Sequence, residues 1–379
     1  MTEEPTAPTE MTKPASRITH LDTIRGVAVL GILLMNIVSY AYRGQAYFDI
    51  SLPQGQTQLD WLVAALGEVF ADQKFMALFS MLFGASVLLF LERAELKTRE
   101  PVKLSLWRNF LLLLVGLVHA SIWEGDILTV YALCSPFLLA VRRLPAASLI
   151  ILGSVVYGSS ALYNYLMAAL GPDQVIRDVW TALLPTPEHE LVGLVFIMDA
   201  ISRSLGMMMV GMGLYKSGYL LKPEAAMNHR RLAALCVLCG GLASTLGILW
   251  VHQNGYDARA IVIGNIANTL GTIPMALGYL TWIIAWDTRG KSRLLPPIRS
   301  LGQSALSNYL SQSLICLSIL GLVAPAILMR STLLLLVIGL WCIQLLVWPL
   351  WLKRYRYGPL EWIWRCATYR RLEPLRRSP

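Results

Sequence analysis

Charge is scarce in this sequence. Only 15% of its 379 residues are Asp, Glu, Lys or Arg, against 56% hydrophobic, where a soluble globular chain carries roughly 25% charged residues. That shortage excludes an ordinary water-soluble domain. Together with a mean hydropathy of +0.56, it implies a chain that crosses a bilayer repeatedly, each span taking ~20 mostly apolar residues. Histidine is scarcer still, with five in the chain. There is no Walker loop, no GxSxG and no HExxH, so the signatures of P-loop nucleotide chemistry, the serine-hydrolase elbow and the zincin site are missing. The opening MTEEPTAPTEMTKPASRITH has no apolar h-region and reads as a disordered tail, not a signal peptide. Six cysteines lie mostly in apolar runs. The CxxC of Cys236 and Cys239 has neither a strand nor a second ligand pair beside it, so these read as packing residues and no metal site is expected.

What the chain has instead is apolar length. Runs separated by charged or Pro/Gly-marked breaks predict about ten spans, at roughly 24–42, 65–91, 104–123, 126–141, 145–168, 191–215, 232–252, 261–286, 300–323 and 332–352. The expected fold class is all-α, a polytopic membrane helix bundle of about ten transmembrane helices. It divides into a disordered cytoplasmic tail (1–20), a transmembrane domain (21–352) and a basic aromatic tail (353–379). The net charge of +9 is read as the positive-inside rule. With the N-terminus cytoplasmic, every Lys and Arg falls on an inner segment except Arg43, Lys74, Arg177, Arg203, Arg259 and Arg330. An odd number of spans would destroy this pattern, so both termini are expected in the cytoplasm. The tail KRYRYGPLEWIWRCATYRRLEPLRR interleaves cations with Trp and Tyr. Nucleic acid is a poor partner for it; a place on the surface of the lipid bilayer fits, with aromatics at the headgroups and Lys/Arg on anionic lipid.

Polar groups within spans cost free energy unless paired or facing a cavity, so each is a candidate for function. The stretch LVHASIWEGDIL (117–128) stands out between two apolar runs. His119 lies 11 residues past Arg108, ~16 Å of helix rise, and no other histidine lies within a span. It is either a proton-accepting base or acyl acceptor, or a ring satisfied by a backbone carbonyl. Asn36, 11 residues past Arg25, overlaps it in depth; its alternative role is an interhelical hydrogen bond. Asp126 reads as the N-cap of the fourth span, a role compatible with facing a cavity. Glu124 reads as solvated charge. Asp199 and Arg203, at i and i+4, predict an internal ion pair. Lys74 either lines a polar space or snorkels to the outer face. Ser304, Asn308, Ser311 and Gln312 form a stripe on the ninth span, and Asn265, Asn268, Thr269 and Thr272 on the eighth. Such stripes line cavities, and they also glue helices together in lipid. The candidate catalytic residues are thus His119, Asn36 and Asp126, with Lys74, Arg203, Asn268, Asn308 and Gln312 as candidate cavity residues.

Five stretches in order, RITHLDTIRGVAVLGILLMNI, KFMALFSMLFGASVLLFLER, LLLLVGLVHASIWEGDILTVYAL, SLGQSALSNYLSQSLI and GPLEWIWR, resemble the YeiB-like bacterial membrane proteins, grouped as domain of unknown function 418. The resemblance covers nearly the whole chain beyond the first tail and implies a bacterial plasma (inner) membrane location. LDTIRGVAVLGILLMN is also similar to the opening helix of type-3 membrane acyltransferases. There an Arg is followed after ten residues by a His; here Arg25 is followed by Asn36. The first helix of heparan-alpha-glucosaminide acetyltransferase has Asn at that position and a His in the following loop, but the matching loop here, 43–60, has no His. No catalytic histidine carries over from either, and His119 stands on its depth alone. This resemblance implies acyl transfer from a cytoplasmic acyl-CoA to an extracytoplasmic envelope acceptor, with Arg25, Arg93 and Arg108 meeting CoA phosphates and no tightly bound cofactor. The alternatives are a permease or flippase whose path uses His119, Asp126 and the Asp199/Arg203 pair, and a structural partner of an envelope complex.

Overall fold

In the computed structural model, which describes residues 18–42, 49–53, 55–96, 98–170, 190–323 and 328–377, each apolar run becomes helix. In chain order these are α1 (Thr19–Ala41), α2 (Gln58–Phe70), α3 (Lys74–Glu95), α4 (Pro101–Ala120), α5 (Leu128–Val141), α6 (Ala146–Leu170), α7 (Glu190–Lys216), α8 (Pro223–Asn228), α9 (Arg230–Gln253), α10 (Ala258–Arg289), α11 (Leu295–Gln303), α12 (Ala305–Leu320), α13 (Arg330–Arg354) and α14 (Pro359–Tyr369). Among the described residues there is no strand, and a lone β-bridge pairs Tyr355 with Arg376. The tail 1–17 and most of the 165–190 loop lie outside the described residues.

Local sequence sets several helix ends. The Thr57 hydroxyl accepts the Asp60 N–H at 3.2 Å while the Asp60 carboxylate takes the Thr57 N–H at 3.0 Å, a capping box that starts α2. Proline opens α4, α8 and α14, where its missing N–H would have had no helical partner. α10 ends at Gly290, whose φ of 64° is the left-handed cap conformation that glycine adopts without penalty.

Seven stretches are long and apolar enough to cross a membrane, and α5 and α12 are shorter apolar helices. With α7 they account for the ten expected spans. Two of the ten are not single helices. The span expected at 65–91 breaks at Ala71–Gln73, with Gln73 in the left-handed region at φ 62°, and the one expected at 300–323 breaks at Ser304 between α11 and α12. The sequence signal at the first break is the polar Asp72-Gln73-Lys74 within an otherwise apolar run.

The bundle holds its polar side chains inside, among apolar cores, and turns apolar side chains outward. Buried side chains include Lys74, His119, Arg203, Asn268, Asn308 and Gln312. Leu235, Leu238, Leu242 and Leu246 on α9 and Leu335, Ile343, Leu346 and Leu350 on α13 face outward. Such continuous apolar faces identify a membrane protein, since water would not tolerate them and lipid does. Helices approach closely where side chains are smallest: a Cβ added to Gly271 would stand 2.5 Å from the Gly240 carbonyl, so α9 and α10 pack backbone to backbone.

α1 is the central strut. Leu21, Ile24 and Ala28 join one apolar core with α3, α5, α7 and α10. Ile32, Leu33, Ile37 and Tyr40 join a second with α12 and α13. Its first turn is tied to Asp287 at the end of α10, which accepts hydrogen bonds from Thr19 (3.3 Å), Thr23 and Arg299 (2.9 Å). The Glu361 carboxylate of α14 accepts the backbone N–H groups of Leu306 (2.7 Å) and Ser307 (3.1 Å) and the Ser307 hydroxyl (2.5 Å). It caps the start of α12 from outside that helix, where a carboxylate also meets the positive end of the helix dipole. These contacts gather residues 19–23, 287, 299–307 and 361 at one end of the bundle, the end that holds both described chain termini.

Candidate active site

The α4–α5 connection is short, and the two helices must close tightly for its polar groups to meet. Gly116 allows it: a Cβ there would lie 2.6 Å from the Thr129 nitrogen. One turn beyond, His119 Nδ1 and Asp126 Oδ1 are 2.7 Å apart, with their side chains 2% and 1% exposed. The other Asp126 oxygen accepts the Thr129 N–H at 2.8 Å. One carboxylate therefore caps the start of α5 and fixes the imidazole. A carboxylate on Nδ1 favours the tautomer with its proton there, leaving Nε2 as the basic nitrogen. His119 Nε2 is buried and has no hydrogen-bond partner among the described residues. Glu124 is exposed.

Aromatic rings complete the surroundings. The Tyr309 ring on α12 lies 5.3 Å from the His119 ring and that of Trp123 5.8 Å, both edge-on. The Tyr309 hydroxyl is buried, with the Ile127 backbone against it and no side-chain partner among the described residues. Trp123 donates to Ser39 Oγ at 3.2 Å and packs on Tyr40 at 4.6 Å between centroids, and the Tyr40 hydroxyl pairs with Ser313 Oγ at 2.8 Å. Asn36, half-buried, stands one helical turn before Tyr40 on the same face of α1. Sequence reasoning missed Tyr309 and Tyr40, because an aromatic at helical spacing in an apolar run has the pattern of core. Their only signal was the neighbouring polar stripe of Asn308, Ser311 and Gln312.

The remaining candidates divide among three places. Lys74, fully buried at the start of α3, does not snorkel; its ammonium donates to the Glu68 carbonyl at 2.9 Å and to the Asn268 side chain. The same Asn268 amide donates to Glu68 Oε1 at 2.9 Å and Asp72 Oδ2 at 3.1 Å, and its oxygen accepts from Ser244 at 2.9 Å. Arg203 pairs with Asp199 at 2.6 Å, as its spacing predicted, and donates to Gln73 at the helix break. Asn308 and Gln312 make interhelical bonds, the first with Trp348 Nε1 at 3.0 Å, the second with Gln344 at 3.2 Å. At the end of the bundle with the chain termini, Arg25 donates to Asp22 (3.2 Å) and Ser86 (2.7 Å). The Arg108 guanidinium is sandwiched between the rings of Phe90 (4.6 Å) and Trp364 (4.1 Å), and Arg93 is exposed at the end of α3. No cluster of three or more His, Cys, Asp or Glu side chains with metal-site geometry occurs among the described residues.

Known proteins are similar to this chain in sequence. The chain is 30% identical to the uncharacterized protein YeiB of Escherichia coli (strain K12) over 383 aligned positions, covering 93% of this chain and 97% of that one. The chain belongs to the YeiB-like DUF418 family. The profile described as "Protein of unknown function (DUF418)" matches residues 214–371. The uncharacterized protein YxaH of Bacillus subtilis (strain 168) is 27% identical over 96% of each chain. An uncharacterized 39.9 kDa protein in the amylase 3' region of Bacillus acidopullulyticus is 26% identical over 95% of this chain and 96% of its own. No solved structure matches. The DUF418 profile covers α8 to α14, including Tyr309 and the Glu361 cap, while the His119–Asp126 pair lies in the part of the chain covered by the full-length relatives.

Proposed function

We propose that this DUF418 protein is an acyltransferase of the bacterial plasma membrane, moving an acyl group from a cytoplasmic acyl-CoA to an extracytoplasmic acceptor. The observation that carries the reading is the buried His119–Asp126 pair, whose Nε2 has no hydrogen-bond partner among the described residues, beside the Tyr309 ring. An orphaned buried nitrogen costs stability, of order 1–3 kcal/mol, and a reacting group beside it would satisfy it. In the proposed step His119 Nε2 takes the proton of an acceptor hydroxyl or amine, and the freed lone pair attacks the thioester carbonyl. Tyr309 donates to the developing oxyanion, with Asn36 close by on α1. Collapse breaks the C–S bond, and the CoA thiolate receives the proton from His119. Asp126 holds the ring and stabilises its cationic form, in the manner of a carboxylate–histidine pair.

The donor enters from the end bearing the chain termini, which the Lys/Arg distribution assigns to the cytoplasm. There Arg108, held between two rings, and Arg25 and Arg93 supply cations for phosphates. About 16 Å of helix rise separates Arg108 from His119, the distance an extended thioester arm has to cover. Supplying purified protein in proteoliposomes with acyl-labelled CoA tests the reading: label should move to a hydroxyl- or amine-bearing acceptor on the opposite side, leaving free CoA behind.

A second reading, transport, draws support from the two broken spans, since interrupted helices at membrane depth frame the binding sites of many transporters. Under it the polar cluster at the α2–α3 break lines the path and acyl-CoA is never consumed. Uptake of a polar solute without CoA release would favour it.

A further inference from the structure

Beyond α14 the chain turns back, and residues 375–377 run beside the end of α13, where Tyr355 and Arg376 form the β-bridge. The Arg356 N–H donates to the Leu375 carbonyl at 2.9 Å and the Arg377 N–H to the Arg354 carbonyl at 3.1 Å. This register sets Arg354 directly opposite Arg377, with Arg356 and Arg376 adjoining. Lys353, Arg354, Arg356, Arg376 and Arg377 are all exposed. Like charges directly opposed across a strand pair destabilise it, and no nearby acid in the sequence offsets them. Residues 353–377 include only two carboxylates, Glu361 and Glu373. The first caps α12, and the second pairs with Arg371 at 2.7 Å and Arg365 at 3.6 Å. Among the described residues none of the five cations has an acidic partner. Their place in the bundle is equally defined. Leu346 and Leu350 of α13 face outward, 68% and 61% exposed, and Arg354 follows at the same spacing of four. The lipid-facing stripe of α13 therefore passes directly into cations where the helix leaves the hydrocarbon.

We infer that the paired segments 354–356 and 375–377 bind the phosphate of a net-anionic membrane phospholipid, held among Arg354, Arg356 and Arg377. A phosphate between opposed guanidiniums replaces their repulsion with charge-assisted hydrogen bonds. A choline or ethanolamine head brings a cation of its own, which like charge disfavours here. A soluble anion would meet the same arginines, but the site begins where a lipid-facing stripe ends, so a headgroup reaches it with its chains still in the bilayer. Basic residues at the end of a span anchor helices in general. What distinguishes this place is the second pair of arginines, Arg376 and Arg377, that the fold returns to the first. The inference is independent of acyl transfer, because it uses none of Arg25, Arg93 and Arg108 and its test reads binding alone.

The full chain is reconstituted in nanodiscs of equimolar phosphatidylglycerol, phosphatidylcholine and phosphatidylethanolamine, re-extracted, and its retained lipid counted by mass spectrometry. Wild type should keep phosphatidylglycerol at about tenfold preference over each of the others, weakening as ionic strength rises. Arg376→Gln/Arg377→Gln removes only the returning pair and should lose most of that preference. Arg289→Gln/Lys291→Gln removes equal exposed charge at the end of α10 and should keep it. Inorganic phosphate added at constant ionic strength should leave the lipid in place. Thermal unfolding of each variant verifies that it is folded, and the wild-type preference stands as a readout that needs no variant. Equal retention of the three lipids by wild type, a preference that survives in the folded Arg376→Gln/Arg377→Gln protein, an equal loss in both double variants, or displacement of the lipid by phosphate would overturn the inference.

Discussion

At the end of the bundle that holds the chain termini, every carboxylate oxygen of Asp287 and Glu361 is engaged: Asp287 by Thr19, Thr23 and Arg299, Glu361 by two backbone N–H groups and the Ser307 hydroxyl. In the opposite half, Asp126 is as fully engaged, yet the groups it supports are not. Among the described residues His119 Nε2 is buried without a partner, and the Tyr309 hydroxyl has no side-chain partner. The first arrangement is what stability alone produces, because an unmade buried hydrogen bond costs more than a made one contributes. Open buried atoms also occur at the first end, in Ser304 Oγ and Arg365 Nε; what sets the second arrangement apart is an open ring nitrogen held by a buried carboxylate, which we read as the place where a ligand completes the network. The stretches that carry the family resemblance divide accordingly. HLDTIRG and GPLEWIWR fasten helices, while HASIWEGDIL and the Tyr309 segment of α12 build the site.

This contrast can be broken by mutation. The largest effect is expected from Asp126→Asn, which keeps the shape and removes the charge that holds the imidazole. Turnover should fall about 10²–10⁴-fold, read as CoA release with a thiol reagent, and a fall under threefold would detach Asp126 from the mechanism. Next is Tyr309→Phe. Because no described side chain bonds the hydroxyl, its removal should shift the unfolding midpoint little while turnover drops about 10²-fold. A lower midpoint with unchanged turnover would make Tyr309 a core residue. Glu361→Ala should do the reverse, destabilising by about 1–3 kcal/mol through the uncapped start of α12, with turnover per folded molecule little affected; calorimetry in detergent alongside the same CoA assay separates the two. The smallest effect concerns the C-terminal tail. The Arg371 hydrogen bond and the nearby Arg365 hold Glu373 below the ordinary glutamate range. A carboxylate whose folded pKa is depressed contributes stability above its unfolded pKa and loses it as pH falls through the folded one. Acidification below about pH 4.3 should therefore loosen the Arg371–Glu373 contact, seen as faster proteolysis after residue 370, and Glu373→Gln should abolish that pH dependence.

Much of the fold was legible as apolar length, since lipid leaves the backbone no alternative to helix. The breaks at Gln73 and Ser304 were not read as such, because neither carries a proline and the polar Asp72-Gln73-Lys74 and the stripe around Ser304 read equally well as residues within one continuous span. They exist to place Lys74, Gln73 and the start of α12 in the bundle, a requirement set by tertiary packing. His119 was found by depth and by being alone, and Asp126 by its turn. Asn308 and Gln312 carried the same stripe signal as a cavity wall, yet they bond to Trp348 and Gln344 across helices; spacing along one helix does not say what the neighbouring helix offers. Glu68 and Asp72 were invisible as a pair until the break brought both onto one Asn268 amide.

The central claim is that His119 Nε2 is reserved for chemistry. CoA release by wild type and His119→Gln in proteoliposomes, with hydroxyl and amine acceptors inside and acyl-CoA outside, measures it directly when each protein's unfolding midpoint is recorded in parallel. Glutamine keeps a polar side chain of similar reach and lacks a titratable nitrogen, so the account predicts release reduced by about 10²–10⁴-fold at an unchanged midpoint. Equal release by the two proteins at equal stability, or no release by wild type with any acceptor, would contradict it.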